Sequence, residues 1–259
     1  MFDLFKLLFK KYKDVFYILY KMLITCYYDI YNKPYLFMEY IYYFYDLAAF
    51  GLPIIVFTEE KYLSKFKLFG PNVKAILLNL DELELYTIGK NYTGNLPSTR
   101  NTLKDTKEYI SLMNSKIEFI SKAAEICNDE TFIWVDFDFM RCIKHPQTVL
   151  KKLHQINSKS YDRIMIPGFN DNSSYSTNEI NSHFYGTFFI MPKQFIESFF
   201  HHSKNVFGDF CKLPQYNICW EPNIWCIIEI FAMRDSMTWY FADKNDTLIT
   251  NLDSIISNQ

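Results

Sequence analysis

Short apolar runs alternate along the chain with longer segments in which apolar residues recur every three or four positions. The short runs predict buried strands, and the longer segments predict helices that pack on them. Strands are predicted at residues 22–28, 52–58, 73–80, 132–135, 163–167, 185–191 and 238–242. Helices are predicted at residues 35–50, 59–70, 102–127 and 192–207, with a further helix after Pro146. This alternation is typical of an α/β fold with a mostly parallel central sheet flanked by helices.

Residues 1–21 carry a stripe of apolar side chains together with five lysines. The spacing predicts an amphipathic helix, because the lysines lie largely off the stripe and interrupt any membrane span or signal core. The helix either packs on its own domain, which is the interpretation we favour, or contacts a membrane surface or a partner. We therefore expect this helix and one domain at residues 22–259, in a cytoplasmic protein that is peripheral to a membrane only under the second interpretation.

Composition narrows the classes of protein. The chain has 259 residues, of which 49% are hydrophobic, and this is enough to bury a full core in a single domain. A formal charge of −2 disfavours a general nucleic-acid-binding protein, and only seven glycines argue against a glycine-rich dinucleotide fold. The six cysteines form no Cys-x-x-Cys pair, so a structural zinc site is not expected.

Two aspartates follow the strand predicted at residues 132–135. Asp136 and Asp138 are separated by Phe137, and the apolar residues before them are typical of a buried strand rather than a surface loop. If both acids face one cleft, their oxygens can bind a hard divalent cation such as Mn²⁺ or Mg²⁺. Such a cation can bridge the diphosphate of a nucleotide sugar. The pattern is therefore the Asp-x-Asp arrangement of nucleotide-sugar-dependent glycosyltransferases.

Other polar residues lie where a donor molecule would bind. Ligands of open α/β sheets bind beyond the carboxyl ends of the strands, and Thr25 and Thr58 are predicted at or near such ends. Arg100 lies in a turn-rich stretch and can face a diphosphate, while Asn114 and Lys116 interrupt the apolar spacing of the helix at residues 102–127. We predict that these residues contact the donor. Taken alone, Arg100 fits better as a solvated loop charge and Lys116 as a solvated helix face.

Three segments, in their order along the chain, resemble the bacterial HtrL/YibB family, which is associated with lipopolysaccharide and surface-glycan synthesis. They are a helix ending in Asn-Ser-Lys, a strand reading Trp-Val-Asp-Phe, and a later segment with Phe-x-Gly. The matching residues are Tyr109, Asn114, Ser115, Lys116, Trp134, Val135, Asp136, Phe137, Phe184 and Gly186. The resemblance covers most of the chain from residue 22 onward, more loosely towards the C-terminus, and it implies a GT-A-like fold.

The resemblance also implies a metal site. Asp138 is expected to bind the cation directly, and Asp136 to bind the ribose or the cation. The family usually has glycine at the position of Asp138, so this chain carries a fuller Asp-x-Asp pattern than its relatives. Enzymes of the GT-A fold often add a late His or Asp as a further ligand. The closing segment has no histidine, so Asp243 or Asp246 is expected to take that role.

Sugar transfer in an inverting reaction also needs a base that accepts the proton of the acceptor hydroxyl. Glu221 is the best candidate, because it follows Trp220, whose ring could stack on a sugar. Asp209 and Glu229 are further candidates. An acid at the start of a helix, where the helix dipole favours negative charge, is an equally good interpretation of Glu221.

We therefore expect a metal-dependent glycosyltransferase that moves a sugar from a nucleotide sugar to a glycan or another hydroxyl acceptor. A UDP-sugar is the first choice of donor. Residues 169–182, rich in Asn, Asp, Ser and Thr, are predicted to form a mobile flap. Two alternatives stay open. One is a magnesium-dependent phosphoryl-transfer enzyme, which would need a third nearby acid, and the other is a non-catalytic relative that binds glycans or partners.

Overall fold

The computed structural model describes residues 21–169, 177–181, 183–213 and 215–252. Its strands are β1 (Met22–Tyr27), β2 (Ile54–Thr58), β3 (Val73–Leu77), β4 (Thr131–Val135), β5 (Ile164–Gly168), β6 (Phe188–Pro192) and β7 (Met237–Phe241). They form one seven-stranded sheet in the order β3-β2-β1-β4-β6-β5-β7. β6 is antiparallel to β4 and β5, whereas the other neighbouring pairs are parallel. The predicted α/β class with a mostly parallel central sheet is confirmed.

Helices cover both faces of this sheet. They are α1 (Pro34–Ala48), α2 (Glu60–Phe66), α3 (Glu84–Lys90), α4 (Lys107–Asn114), α5 (Lys116–Ile126), α6 (Pro146–Asn157), α7 (Lys193–Lys212), α8 (Glu221–Ile228) and α9 (Thr247–Thr250). Successive side chains of a strand point to opposite faces. Along β4, Phe132 and Trp134 therefore join an apolar cluster with α3, α4, α5, α7 and α8, and Ile133 and Val135 join another with α1, α2, α6 and α9. Burial on both faces explains why the five inner strands, β1, β2, β4, β5 and β6, read as mostly continuous apolar runs.

The helix predicted at residues 102–127 begins only at Lys107 and is two helices, so this prediction was wrong in both respects. The break falls at Ser115, between α4 and α5. The Ser115 hydroxyl donates to the Ser111 carbonyl at 2.9 Å, and the Asn114 amide donates to the Ile110 carbonyl at 2.9 Å. Side chains that bond to carbonyls of the preceding turn compete with the regular helical pattern and bend the chain. The bend makes Lys116 the first residue of a new helix.

The region after β3 also differs from its prediction. The strand ends at Leu77 instead of residue 80, because Asn79 and Glu82 form a reciprocal capping box around a short 3₁₀ turn. The helix α3 that follows was not predicted. It is short, and Gly89 within it packs so closely on α4 that an added Cβ would lie 2.2 Å from the Ser111 hydroxyl. Close packing of this kind leaves no periodic signal in the sequence.

Some predictions fall outside the described residues. These include nearly all of the predicted N-terminal helix, residues 1–20, and much of the predicted flap, residues 170–176 and 182. Within the part of the chain that the structure describes, no helix is both long enough and apolar enough to cross a membrane. Membrane contact through the N-terminal segment and a cytoplasmic location stay predictions.

Candidate functional site

A cleft of ≈ 520 Å³ opens at the edge of the sheet where β1 and β4 end. Its walls come from the residues after these two strands, from α4 and the start of α5, from the residues before β6, and from the start of α8. Because β1 and β4 are parallel, their carboxyl ends meet at this edge, which is the usual ligand site of an open α/β sheet. Asp136, Asp138, Lys116 and Glu221 all line the cleft.

Asp136 and Asp138 both lie beside the cleft, in the segment that follows β4. Asp136 directly follows β4, and its backbone N–H donates to the Thr187 carbonyl at 2.9 Å. Phe137 is buried on the opposite side, where its ring stacks on Phe44 of α1 with the centroids 4.7 Å apart. With Phe137 anchored in the core, Asp136 and Asp138 are both left on the cleft side.

Asp136 is held on one oxygen by two donors. The Trp134 indole N–H donates to Asp136 Oδ1 at 2.8 Å, and Lys116 Nζ lies 3.0 Å from the same oxygen. The Lys116 ammonium also lies 5.8 Å from the centre of the Trp134 ring, within reach of a cation–π interaction. These contacts fix the orientation of the carboxylate and leave Oδ2 as its candidate ligand atom.

Asp138 has a different partner. Its Oδ2 lies 3.0 Å from the Arg141 guanidinium, three residues later in a short 3₁₀ turn. Burial and the neighbouring charge of Asp136 raise the pKa of Asp138 above its usual value, and this outweighs the opposing charges of Arg141 and Lys104. Both carboxylates line one cleft, where their oxygens are of the type that binds a hard divalent cation.

Lys116 is almost fully buried, with 2% of its side chain exposed. Its ammonium donates to Glu221 Oε1 at 2.8 Å and to the Gly186 carbonyl at 2.9 Å, in addition to its ion pair with Asp136. Burial by itself would lower the pKa of Lys116, but the charges of Asp136 and Glu221 outweigh it and raise that pKa above its ordinary value. Lys116 is therefore a buried cation of the cleft wall and not a solvated helix face.

Glu221 begins α8, as the helix-start interpretation of the sequence expected, and it is buried. Its carboxylate packs directly against Gly186, where an added Cβ would lie 2.2 Å from Glu221 Oε1. Position 186 must therefore be a glycine for Glu221 to pack this closely, and the sequence did not suggest this reason. Glu221 lines the same cleft as the two aspartates, and one of its oxygens is already bound to Lys116.

Four of the residues predicted to contact the donor lie elsewhere. The Thr58 hydroxyl donates to the Tyr27 carbonyl at 2.9 Å, and the Asn114 amide donates to the Cys219 carbonyl at 2.9 Å. Thr25 is fully buried within β1. Arg100 donates to the Pro97 carbonyl of its own turn at 3.1 Å. None of these side chains lines the cleft within the described ranges, and Thr58, Asn114 and Arg100 bond to backbone carbonyls.

The late acids also lie outside the cleft lining. Asp246 accepts hydrogen bonds from the backbone N–H groups of Lys144 and His145, at 2.8 and 3.1 Å, just before α6. Asp243 lies in the same turn, where its backbone N–H donates to Thr247 at 2.8 Å. In the chain as described, no group of three or more His, Cys, Asp or Glu side chains is arranged to hold a metal ion.

The two further candidates for a base are separated from the aspartate pair as well. Asp209 lies on α7 and lines a different cavity of ≈ 300 Å³, which it shares with Tyr216 and Phe231. Glu229 Oε2 lies 2.8 Å from His183 Nε2. Neither acid is among the residues that line the cleft of Asp136.

The structure adds cleft residues that the sequence analysis did not assign. The rings of Tyr31 and Tyr109 stack with their centroids 6.4 Å apart, and Lys104 Nζ lies 4.8 Å from the centre of the Tyr109 ring. The Tyr31 hydroxyl donates to the Lys104 carbonyl at 2.6 Å. Arg141 is the other addition, and its spacing of three residues from Asp138 was the available signal. No sequence pattern links Tyr31 to residues more than seventy positions later.

No protein-family model matches the chain, and no curated protein sequence matches it either. Among solved structures, the chain is similar to the apo-form glycosyltransferase GlyE of Streptococcus pneumoniae TIGR4, with 7% sequence identity and a TM-score of 0.39. The match covers 85% of this chain but only 45% of that one. A likeness this distant carries no argument about function, and the resemblance to the HtrL/YibB family stays a prediction.

Proposed function

We propose that this protein is a metal-dependent glycosyltransferase with a GT-A-like fold, which transfers a sugar from a nucleotide sugar to a hydroxyl of a glycan or other acceptor. One observation carries the proposal. The carboxylates of Asp136 and Asp138 lie together in a cleft at the end of the central strand β4, and each is oriented through one oxygen by a cationic partner. A UDP-sugar is the donor that we propose to test first.

The donor atoms of the cleft fit a cation that is shared with a substrate. Carboxylate oxygens are the ligands that Mg²⁺ and Mn²⁺ prefer, and Mg²⁺ is commonly held by one or two carboxylates together with substrate phosphates. Asp136 and Asp138 supply such a pair, while Asp243 and Asp246 do not line the cleft. When bound, the cation would neutralise the charge of the departing nucleoside diphosphate.

Other residues of the chain suit the remainder of a nucleotide sugar. Lys104 lies close enough for its charge to act on Asp138, and it would meet the phosphates from that side. The stacked rings of Tyr31 and Tyr109 offer a flat aromatic surface on which a nucleobase or a sugar ring can pack. These contacts would orient the donor relative to the two carboxylates.

Replacing Asp138 with Ala tests the proposal. In a thermal-shift experiment, a nucleoside diphosphate (UDP, GDP or CDP) should stabilise the wild type in the presence of Mn²⁺. Saturation at one hundred times Kd is worth about 2.7 kcal/mol. The D138A variant should lose the Mn²⁺-dependent part of this stabilisation. The matched control is Asp46→Ala, which removes an exposed acid of α1 away from the cleft and should behave like the wild type.

The outcomes separate the proposal from its alternatives. If no nucleotide stabilises the wild type, the protein is better described as a non-catalytic relative that binds glycans or partners. If Mn²⁺-dependent binding persists in D138A, the metal assignment is wrong. A phosphoryl-transfer enzyme would hydrolyse a phosphodiester without releasing a nucleoside diphosphate from a sugar donor. That alternative needs a third acid, and the described residues contain no such metal-binding group of three.

A further inference from the structure

Lys116 joins four separate parts of the fold at one point. It begins α5, and its ammonium contacts Asp136 at the end of β4, Glu221 at the start of α8, and the Gly186 carbonyl before β6. A buried ion pair contributes little net stability, because the cost of removing both charges from water offsets their attraction. Stability alone therefore does not account for a charged group placed in the wall of the cleft.

The contacts of Lys116 use its full hydrogen-bonding capacity. An ammonium group has three N–H donors and no acceptor. The three neighbouring oxygens of Lys116 are Asp136 Oδ1 at 3.0 Å, Glu221 Oε1 at 2.8 Å and the Gly186 carbonyl at 2.9 Å. With every donor engaged, the ammonium has none left for a phosphate of the donor. Lys116 can therefore affect a bound ligand only through the residues that its ammonium contacts.

The Glu221 carboxylate is also engaged in contacts within the protein. Only 7% of its side chain is exposed, and its carboxylate fills the space that the missing side chain of Gly186 provides. Its Oε1 accepts a hydrogen bond from Lys116 at 2.8 Å, so this oxygen is already engaged within the protein. The packing places it where it holds the ammonium of Lys116 against Asp136.

We propose that Lys116 and Glu221 are a positioning pair for Asp136: Glu221 holds the Lys116 ammonium, and the ammonium, together with the Trp134 indole, fixes the Asp136 carboxylate. Glu221 thus acts through Lys116 and does not serve as the base. The structural part of this inference is independent of the proposed function. Its consequence for ligand binding and turnover rests on that function, so the two parts need separate measurements.

The structural part can be tested without any ligand. The Trp134 indole N–H donates to Asp136 Oδ1, so its NMR signal reports how that carboxylate is held. The chain has four tryptophans, and Trp134→Phe assigns the signal. The double variant Lys116→Met with Glu221→Gln removes both charges of the pair and leaves no unpaired carboxylate at the buried position 221. In this variant the Trp134 signal should move and exchange faster with water.

Two further variants serve as matched comparisons. In Glu221→Gln alone, the amide oxygen still accepts from Lys116, so the Trp134 signal should stay near its wild-type position. In Lys122→Met, an exposed lysine of the same helix is removed, and the signal should be unchanged. An unchanged Trp134 signal in the double variant would overturn the proposal, because Asp136 would then be held without the pair.

The functional part is tested with Mn²⁺ and UDP, GDP or CDP as probes. The double variant should bind the preferred nucleotide about 10- to 100-fold more weakly, the usual range for losing one hydrogen bond to a charged group. Glu221→Gln should keep an affinity within about threefold of the wild type, because it keeps the acceptor for Lys116 and the charge on Asp136. Wild-type affinity in the double variant would show that the pair does not act on the ligand.

Turnover distinguishes a positioning residue from a base. The release of UDP is measured with UDP-glucose, UDP-galactose and UDP-N-acetylglucosamine as donors. Loss of a general base costs about 10²- to 10⁴-fold in rate, whereas Glu221→Gln should lower the rate by less than about tenfold. A loss of about 10²-fold with an unchanged Trp134 signal would assign Glu221 as the base and overturn the proposal. If the wild type binds no nucleotide, the proposed function fails, and the Trp134 signal still decides the positioning role.

Discussion

The ends of β4 and β7 look alike in the sequence and differ in the fold. Asp136 and Asp138 follow β4 and were predicted as metal ligands from that position, and Asp243 or Asp246, which follow β7, were predicted as a further ligand from the resemblance to a family. Near β4, the acids meet the side-chain cations Lys116 and Arg141 at the edge of a cleft. After β7, Asp246 instead accepts from the backbone N–H groups of Lys144 and His145 just before α6, and it lies 2.5 Å from the His145 ring, outside the cleft lining. The groups that face an acid, more than its place after a strand, determine its role.

Replacing Lys116, the buried lysine beside the end of β4, should have the largest effect on stability. Lys116→Met leaves the buried Glu221 without its counter-ion, so the free energy of unfolding should fall by about 3–5 kcal/mol. Urea denaturation measures this change, and Lys122→Met on the exposed side of α5 should stay within about 0.5 kcal/mol of the wild type. Adding Glu221→Gln to Lys116→Met should recover part of the loss. A Lys116→Met variant as stable as the wild type would contradict the buried network.

An intermediate effect on stability is expected from replacing Gly186, because Glu221 packs directly against it. Gly186→Ala forces a Cβ to within 2.2 Å of Glu221 Oε1, and such overpacking should cost about 1–3 kcal/mol. It should also weaken Mn²⁺-dependent nucleotide binding, because Glu221 would move away from Lys116.

Gly208→Ala is the control for that change. This glycine lies within α7, and an added Cβ there has no neighbour within 4 Å. The substitution should stabilise the protein by about 0.5–1 kcal/mol, since alanine is the better helix former. Equal effects at the two glycines would mean that Glu221 does not pack on Gly186.

The smallest effect on stability is expected from replacing Asp246, which lies after β7. Asp246→Ala should lower the free energy of unfolding by about 1 kcal/mol at neutral pH, the usual net value of a lost hydrogen bond. It should leave Mn²⁺-dependent nucleotide binding unchanged, in contrast to Asp138→Ala. Loss of that binding in the Asp246 variant would return Asp246 to the metal site and remove the contrast between the two strand ends.

The stability difference between the wild type and Asp246→Ala should depend on pH, and the direction follows from the pKa of Asp246. Burial opposes the ionisation of Asp246, but hydrogen bonds from His145 and Lys144 outweigh it and hold the pKa of Asp246 below its usual 3.8. A carboxyl whose pKa is lower in the folded protein stabilises it above the unfolded-state pKa, and this contribution disappears as the pH falls through the folded-state pKa. The difference in stability between wild type and Asp246→Ala should therefore be complete near neutral pH and shrink below about pH 4.

The fold was predictable where the pattern of the chain was regular. The strands around β1, β2 and β4 were predicted because both of their faces are buried, which gives continuous apolar runs. The break at Ser115 was not, because side-chain bonds to the preceding turn leave the helical spacing of apolar residues intact. The short helix α3 was missed because its close contact with α4 depends on Gly89, a residue that usually argues against a helix.

The candidate site was predictable in part for a related reason. Asp136 and Asp138 directly follow an apolar run, and Phe137 between them packs in the core, which leaves both acids beside the cleft. Lys116 was included through its resemblance to a family pattern, although its charge alone suggested a solvated surface. Its partner Glu221 lies 105 positions further along the chain, and no local pattern connects the two.

The sequence by itself determined the class of fold, the position of the aspartate pair at the end of a buried strand, and the set of acids and bases available for chemistry. It did so because burial and alternation act over neighbouring residues. Only the tertiary structure decided which charges meet: Lys116 with Asp136 and Glu221 in the cleft, and Asp246 with the start of α6 outside it. Electrostatic interactions depend on distance in space and on burial, and neither quantity is contained in the spacing of residues along the chain.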